Sequence, residues 1–238
     1  MGTPAWRRTV QTLEEVLFPG RCLVCGGWLL GPAEDGAPVC TGCRSTLERI
    51  GGPRCACCGI SLVSERRTCL RCRGVSFGFL SHRSLFAYTG GARRLLAGLK
   101  FQGRRRLGPF YAALVAEDAA VQGWGLVVVP VPPRPGRHGP DAVELVARTL
   151  SARHGFEVQR ILAREPGVQQ KTLDYEQRKA NLVGRIRLPD SLSAAGIPVR
   201  AILLDDVFTT GATLDACARV LKEAGCAEVN AITLVMEE

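Results

Sequence analysis

Hydrophobic and polar positions divide the chain into stretches with different periods. Leu126-Val127-Val128-Val129-Pro130-Val131-Pro132 is a continuous apolar run, the pattern of a strand covered on both faces of a parallel sheet. Arg200-Ala-Ile-Leu-Leu204 and Val229 to Val235 repeat it, and Val158 to Leu162 reads as a further strand. Asp141 followed by Glu144 resembles a capping box before a helix carrying Leu145, Val146 and Leu150. A second helix is expected from about Thr213 to Ala224, closing at Gly225. Earlier, Ser84 to Tyr88 reads as a strand entering a turn at Thr89-Gly90-Gly91, and Leu95, Leu96 and Leu99 then share one helical face. Strands alternating with helices predict an α/β fold with a parallel sheet. At the N-terminus Trp6, Val10, Leu13, Val16 and Leu17 form an amphipathic helical pattern with Arg7 and Arg8, and Glu14 and Glu15 interrupt any apolar export signal.

Composition narrows the class. With 46% apolar and 22% charged residues, the 238-residue chain is neither disordered nor fibrous, and its length suits one large domain or a medium domain plus a small module. No run approaches the ~18 apolar residues of a membrane span. Without an export signal, a reducing cytoplasmic setting is expected, where clustered cysteines more often bind metal than form disulfides.

Nine of the eleven cysteines fall between Cys22 and Cys72. Cys22, Cys25, Cys40 and Cys43 form one CxxC pair of pairs; Cys55, Cys58, Cys69 and Cys72 form another, with Cys57 left over. Two residues between cysteines aim both thiolates of a tight turn at one ion, and two such knuckles complete a tetrahedral S₄ shell of the kind zinc prefers. Closed Cys₄ shells keep no open coordination position, so two structural zinc ions are expected.

The formal charge of +9 is uneven: residues 1–110 carry 17 basic and 6 acidic groups, the remainder 14 and 16. Between Glu65 and Glu117 there are eleven Lys or Arg and no carboxylate. Eight thiolates and two Zn²⁺ would bring the net charge to about +5. Within the basic stretch, Arg93, Arg94, Lys100, Arg104, Arg105 and Arg106 lie beside Tyr88 and Phe101, a pattern that suits phosphates and stacked bases. A solvated arginine-rich surface, or a dock for an acidic partner, fits that stretch equally well.

The most specific chemistry lies in Ile202-Leu203-Leu204-Asp205-Asp206-Val207-Phe208-Thr209-Thr210-Gly211-Ala212-Thr213. Apolar residues carry the chain to the carboxyl end of a strand, where open α/β sheets bind ligands. Two carboxylates there can accept from vicinal hydroxyls, and the small hydroxyl-rich turn can wrap a phosphate at a helix N-terminus.

This segment resembles the phosphoribosyltransferase signature for 5-phosphoribosyl-1-pyrophosphate (PRPP). The resemblance implies a type I phosphoribosyltransferase-like parallel sheet with helices on both faces. Asp205 and Asp206 would hold the ribose hydroxyls, and Thr209, Thr210, Gly211, Ala212 and Thr213 the 5′-phosphate. Val131 would lie in the pyrophosphate loop, with Arg134 or Arg137 at the diphosphate and Mg²⁺ bridging it through water and ligand oxygens. No catalytic residue is assigned; Lys171 is the one candidate, by analogy with orotate-type enzymes.

The whole layout is similar to the narrower ComF-type competence family. The similarity runs through Leu17-Phe18-Pro19, both cysteine sets, Tyr88-Thr-Gly-Gly, Leu99-Lys100-Phe101, Val129-Pro-Val-Pro132, Gln170, Leu173, Arg178 and Asn181 to the acidic loop. It implies an N-terminal helix (1–21), a double zinc ribbon (22–76) and a phosphoribosyltransferase-like domain (77–238). It further implies a cytoplasmic role in DNA uptake, with PRPP, single-stranded DNA, a helicase and DNA-processing proteins as partners. Two alternatives stay open: an active nucleobase phosphoribosyltransferase in salvage, and a metabolite-sensing regulator. The family's usual Arg-Gly-Phe-Asn-Gln is replaced by His138-Gly139-Pro140-Asp141-Ala142, and Gly184-Arg185-Ile186 stands where an Ala-Phe pair is usual.

Overall fold

A computed structural model describes residues 20–29, 38–63, 67–136, 141–166 and 185–237. The expected N-terminal helix, Arg137, and Lys171 with Gln170, Leu173, Arg178 and Asn181 lie outside these residues. In chain order the described elements are α1 (Thr41–Ser45), α2 (Leu70–Arg73), β1 (His82–Ala87), α3 (Gly90–Phe101), α4 (Leu107–Glu117) and α5 (Ala119–Trp124). There follow β2 (Val127–Pro130), α6 (Ala142–His154), β3 (Glu157–Val158), β4 (Ala163–Arg164), β5 (Ile186–Arg187), β6 (Arg200–Phe208), α7 (Ala212–Glu223) and β7 (Glu228–Met236).

Five strands form a parallel sheet in the order β1-β7-β6-β2-β3. Successive side chains of a strand point to opposite faces, and both faces here are apolar. On one face Ile202 and Leu204 of β6 pack with Leu95, Leu96 and Leu99 of α3, Tyr111 and Val115 of α4, and Val146 and Leu150 of α6. On the other, Leu203 packs with Leu214, Cys217, Ala218 and Leu221 of α7. This is the phosphoribosyltransferase-like α/β architecture expected of the sequence, with β4 and β5 forming a separate antiparallel pair.

The two cysteine modules sit against opposite layers: Cys22 and Leu47 join the first apolar cluster, Cys55, Cys58 and Cys72 the second. The chain between and around them closes the outer edge of β1. Ala87 N–H donates to Glu48 O (3.0 Å), Arg49 bridges antiparallel to Phe86, and His82 N–H donates to Cys57 O (2.8 Å). The N–H groups of His82 and Ala87, at the two ends of that edge, are thereby satisfied.

Three local expectations change. Val158 to Leu162 does not run as one strand: only Glu157–Val158 pairs with β2, while Ile161 and Leu162 turn into the α7-side core and lead to β4. The capping box is half formed. Asp141 Oδ1 accepts from Val143 N (2.9 Å) and Glu144 N (3.2 Å), but the Glu144 carboxylate is taken by Arg160 (2.8 and 2.9 Å) and Arg148. Gly90 and Gly91 begin α3 instead of standing before it.

Candidate functional site

The cysteine shells are assembled. In each, the four Sγ atoms lie within 4.8 Å of one another, with Cys25–Cys40 at 3.9 Å and Cys58–Cys69 at 3.7 Å. A tetrahedron with Zn–S near 2.3 Å has sulfur–sulfur edges of about 3.8 Å. The knuckles share one hydrogen-bond pattern: Cys22 N–H to Gly27 O and Gly26 N–H to Cys22 O, matched by Cys55 N–H to Ile60 O and Gly59 N–H to Cys55 O. Backbone donors also point at sulfur. Val24 and Cys40 N–H reach Cys22 Sγ, and Cys69 N–H reaches Cys55 Sγ, each at 3.4 Å. Burial disfavours a thiolate at Cys22 and Cys55, yet these donors overcome it and draw the two thiols down to about 6 and about 7. Burial and neighbouring sulfurs push Cys43 and Cys58 up to about 12, which is the response of crowded thiols that a divalent cation would reverse. Both donor sets fit structural zinc. Cys57 stays outside the shell, with its thiol raised above its ordinary value by burial.

The groups around the second shell are tied into the sheet. His82 is buried, its Nδ1 2.8 Å from Cys58 O and its Nε2 2.9 Å from Thr233 Oγ1. A carbonyl only accepts, so Nδ1 carries the proton and Nε2 accepts from the Thr233 hydroxyl. Burial lowers the His82 pKa to about 3, keeping the ring neutral. That ring stacks on Phe208 at 4.1 Å, the last residue of β6.

Asp205 and Asp206 stand near the carboxyl end of β6, and Thr209 to Gly211 lead into α7. Gly211 has φ +80°, and a Cβ there would meet Phe208 and Phe77 at 3.0 Å, so the turn requires glycine on two grounds. Among the described residues, the N–H groups of Thr210 and Gly211 have no backbone acceptor. The loop therefore presents open donors at the start of a twelve-residue helix, an anion-binding arrangement.

The acidic pair is electrically uneven. Lys100 Nζ lies 2.6 Å from Asp206 Oδ2, whereas burial, followed by the Asp206 charge, raises Asp205 to about 7. Asp206 N–H donates to Asp205 Oδ1 at 2.7 Å. Lys100 thus belongs to this site, whereas the sequence pattern groups it with the basic surface. Arg164 of β4 is a second residue that the pattern does not single out. Its charge acts on Asp205 and is opposed by Arg134 and Arg185, and burial followed by those like charges lowers its pKa. Val131 is buried and its N–H donates to Leu204 O (2.9 Å), so the Val131–Arg134 segment runs beside β6, with Arg134 exposed. Open N–H donors, two carboxylates and three cations thus converge at one end of the sheet.

The other basic residues part company with Lys100. Arg104 is half-buried and its guanidinium donates to Leu23 O of the first module. Arg93, Arg94, Arg105 and Arg106 are exposed, as is Phe101 at 77%. Arg93 stands 5.9 Å over the Tyr88 ring.

Among the described residues no helix is long and apolar enough to cross a membrane. Residues 13–73 match the model of the double zinc ribbon domain. The Competence protein ComFC of Bacillus subtilis (strain 168) is 30% identical over 220 residues, covering 87% of each chain. That of Streptococcus pneumoniae (strain ATCC BAA-255 / R6) is 29% identical over 230 residues, covering 90% of this chain and 99% of that protein. Competence protein F of Haemophilus influenzae is 26% identical over 225 residues, 90% of this chain and 95% of its own. With both cysteine shells, the parallel sheet and similarity over 87–90% of the chain in place, the chain belongs to the ComF-type competence protein family.

Proposed function

We propose that the protein binds PRPP with Mg²⁺ at the Asp205–Thr213 site and single-stranded DNA on its basic face, and that it acts in DNA uptake in the cytoplasm. The observation that carries PRPP binding is the pairing of Asp205-Asp206 with the open N–H donors of Thr210 and Gly211 at the carboxyl end of β6. In this reading the loop N–H groups and Thr hydroxyls take the 5′-phosphate, and the two carboxylates accept from the ribose 2′ and 3′ hydroxyls. Lys100 is placed to trade Asp206 for a ligand oxygen, and Arg134 and Arg164 supply positive charge on the diphosphate side. Mg²⁺ arrives with the diphosphate and neutralises it, held mostly by water and ligand oxygens. Pyrophosphate release across a panel of nucleobases decides whether binding leads to turnover.

DNA binding rests on four exposed arginines, Arg93, Arg94, Arg105 and Arg106, and on the exposed Phe101 ring. Arg94 and Phe101 are seven positions apart on α3, two turns along one face. A base stacked on Phe101 would set its neighbouring phosphates among the guanidinium groups. Division into residues 1–21, 22–76 and 77–238 remains within this proposal. The test is fluorescence anisotropy with a labelled oligothymidine as salt is varied. Reversal of the four arginines to Glu should flatten the salt slope by about 0.7 for each phosphate that is no longer neutralised. An unchanged slope would remove DNA from this face.

A further inference from the structure

The second cysteine module reaches the candidate phosphate loop directly. α2 starts just after the ligand Cys69 and contains the ligand Cys72, and its Arg71 Nη1 donates to Thr209 O at 3.0 Å across 138 positions of sequence. This contact belongs to a wider clamp. Gly78 N–H donates to the buried Asp215 Oδ1 (2.6 Å), and Arg219 Nε grips the same carboxylate (3.0 and 3.1 Å). Arg219 Nη2 then donates to Ser76 O (2.6 Å). Asp215 and Arg219 belong to α7, the helix that begins at the loop, so the exit of the second module is strapped to the element that Arg71 serves.

The geometry points to Arg71 as a positioning residue for the phosphate loop: by holding the Thr209 carbonyl it orients and polarises the Thr210 N–H toward a sugar phosphate. The inference rests on the phosphoribosyl reading of the Asp205–Thr213 site. In a trans peptide the C=O of one residue and the N–H of the next point opposite ways, and the described residues contain no cis bond. Fixing Thr209 O on Arg71 therefore turns the Thr210 N–H away from the ribbon, and that N–H has no backbone acceptor among the described residues. A guanidinium on the carbonyl makes the same peptide a better donor, because hydrogen bonds in series polarise one another. Its positive charge also stands behind the loop. Among the described residues, Arg71 makes no ion pair that would cancel that charge. The second ribbon is in this way part of the ligand site, while among the described residues the first makes no hydrogen bond to the loop.

The test is calorimetric titration of ribose 5-phosphate, and separately of inorganic pyrophosphate, into wild type, Arg71→Met, Arg71→Lys and Asp205→Asn/Asp206→Asn, with zinc content measured for each. Arg71→Met should keep two zinc ions and bind ribose 5-phosphate about tenfold more weakly, the effect of removing one charge-assisted hydrogen bond. Arg71→Lys should recover part of that affinity, since it restores the charge, and pyrophosphate binding should stay unchanged in both. Wild-type affinity in Arg71→Met, with affinity abolished in the Asp pair variant, would overturn this inference alone. A Lys variant no better than Met, or an equal weakening of pyrophosphate binding, would reduce Arg71 to a structural tether and also overturn it. Ribose 5-phosphate binding that ignores the Asp pair, or is missing from wild type, would remove the phosphoribosyl reading and this inference together.

Discussion

At the scale of single residues, the two knuckle glycines separate two physical costs. Gly26 and Gly59 have φ of 75° and 73°, but a Cβ at Gly26 meets open space while one at Gly59 would lie 2.4 Å from His82 O. Gly26→Ala should therefore cost about 1 kcal/mol, the strain of a left-handed backbone. Gly59→Ala should cost several times more, because the close approach of knuckle and strand must also open. Chemical denaturation of the two variants measures the difference, and equal costs would mean that the packing of Gly59 on the His82 backbone is soft. Asp205 gives a second prediction. Its folded pKa, about 7, lies above the ordinary carboxylate value because of burial and then Asp206, with Lys100 and Arg164 opposing. The folded chain therefore holds a proton that the unfolded chain has released, and stability should fall as pH rises from about 4 to about 7, then level off. In Asp205→Asn this component of the decline should vanish from a pH series of thermal midpoints. The acidic pair and the cysteines were legible in sequence because their chemistry depends on spacing within a few residues. Lys100 and Arg71 were not, since each finds its partner more than a hundred positions away and is surrounded in sequence by other arginines.

Among elements, legibility followed amphipathic contrast. β2, β6, β7 and α7 announce themselves as apolar runs or one-sided helices with a glycine at the end. α4 does not. Its sequence, Leu-Gly-Pro-Phe-Tyr-Ala-Ala-Leu-Val-Ala-Glu, is apolar nearly all round and has Gly and Pro in its first turn, so no periodic face stands out. Its burial explains both features. Seven of its residues are covered, and Gly108 lies where a Cβ would meet Leu145 Cγ of α6 at 2.5 Å. Gly108 is thus a point of close approach between α4 and α6, and helix propensity yields there to packing. Gly108→Ala should destabilise the chain by about 1–3 kcal/mol despite the better helix former. Gly108→Ala combined with Leu145→Ala should recover some of that stability, and a urea series that shows no recovery would contradict the packing account. The shortened β3 is a converse case: Ile161 and Leu162 look like strand residues, but they leave the sheet to cover α7. Apolar character marked their burial without marking which layer would cover them.

For the whole molecule, the sequence suggested a ribbon module appended to a ligand-binding sheet, and the structure joins them more closely. The modules lie on opposite layers, the chain between and around them caps the ends of the β1 edge, and the second reaches the Thr209–Gly211 turn through Arg71, Phe77 and the His82–Phe208 stack. Zinc removal should accordingly be felt at the ligand site in an asymmetric way. Cys55→Ser/Cys58→Ser should weaken PRPP binding more than Cys22→Ser/Cys25→Ser when the two are compared at equal thermal margin. Equal effects would return the ribbons to a general stabilising role. The formal charge sharpens in the same way. Of six cations grouped by sequence, Lys100 serves the acidic pair and Arg104 braces the first module, so the exposed basic face reduces to Arg93, Arg94, Arg105 and Arg106 beside Phe101. The central claim is that Asp205, Asp206 and the loop that follows form a live phosphoribosyl site. The most direct measurement is calorimetric titration of PRPP with Mg²⁺ into wild type and Asp205→Asn/Asp206→Asn. Saturable 1:1 binding by wild type that is abolished in the double variant, with both proteins folded and holding zinc, is the result predicted; equal heats from the two would contradict it.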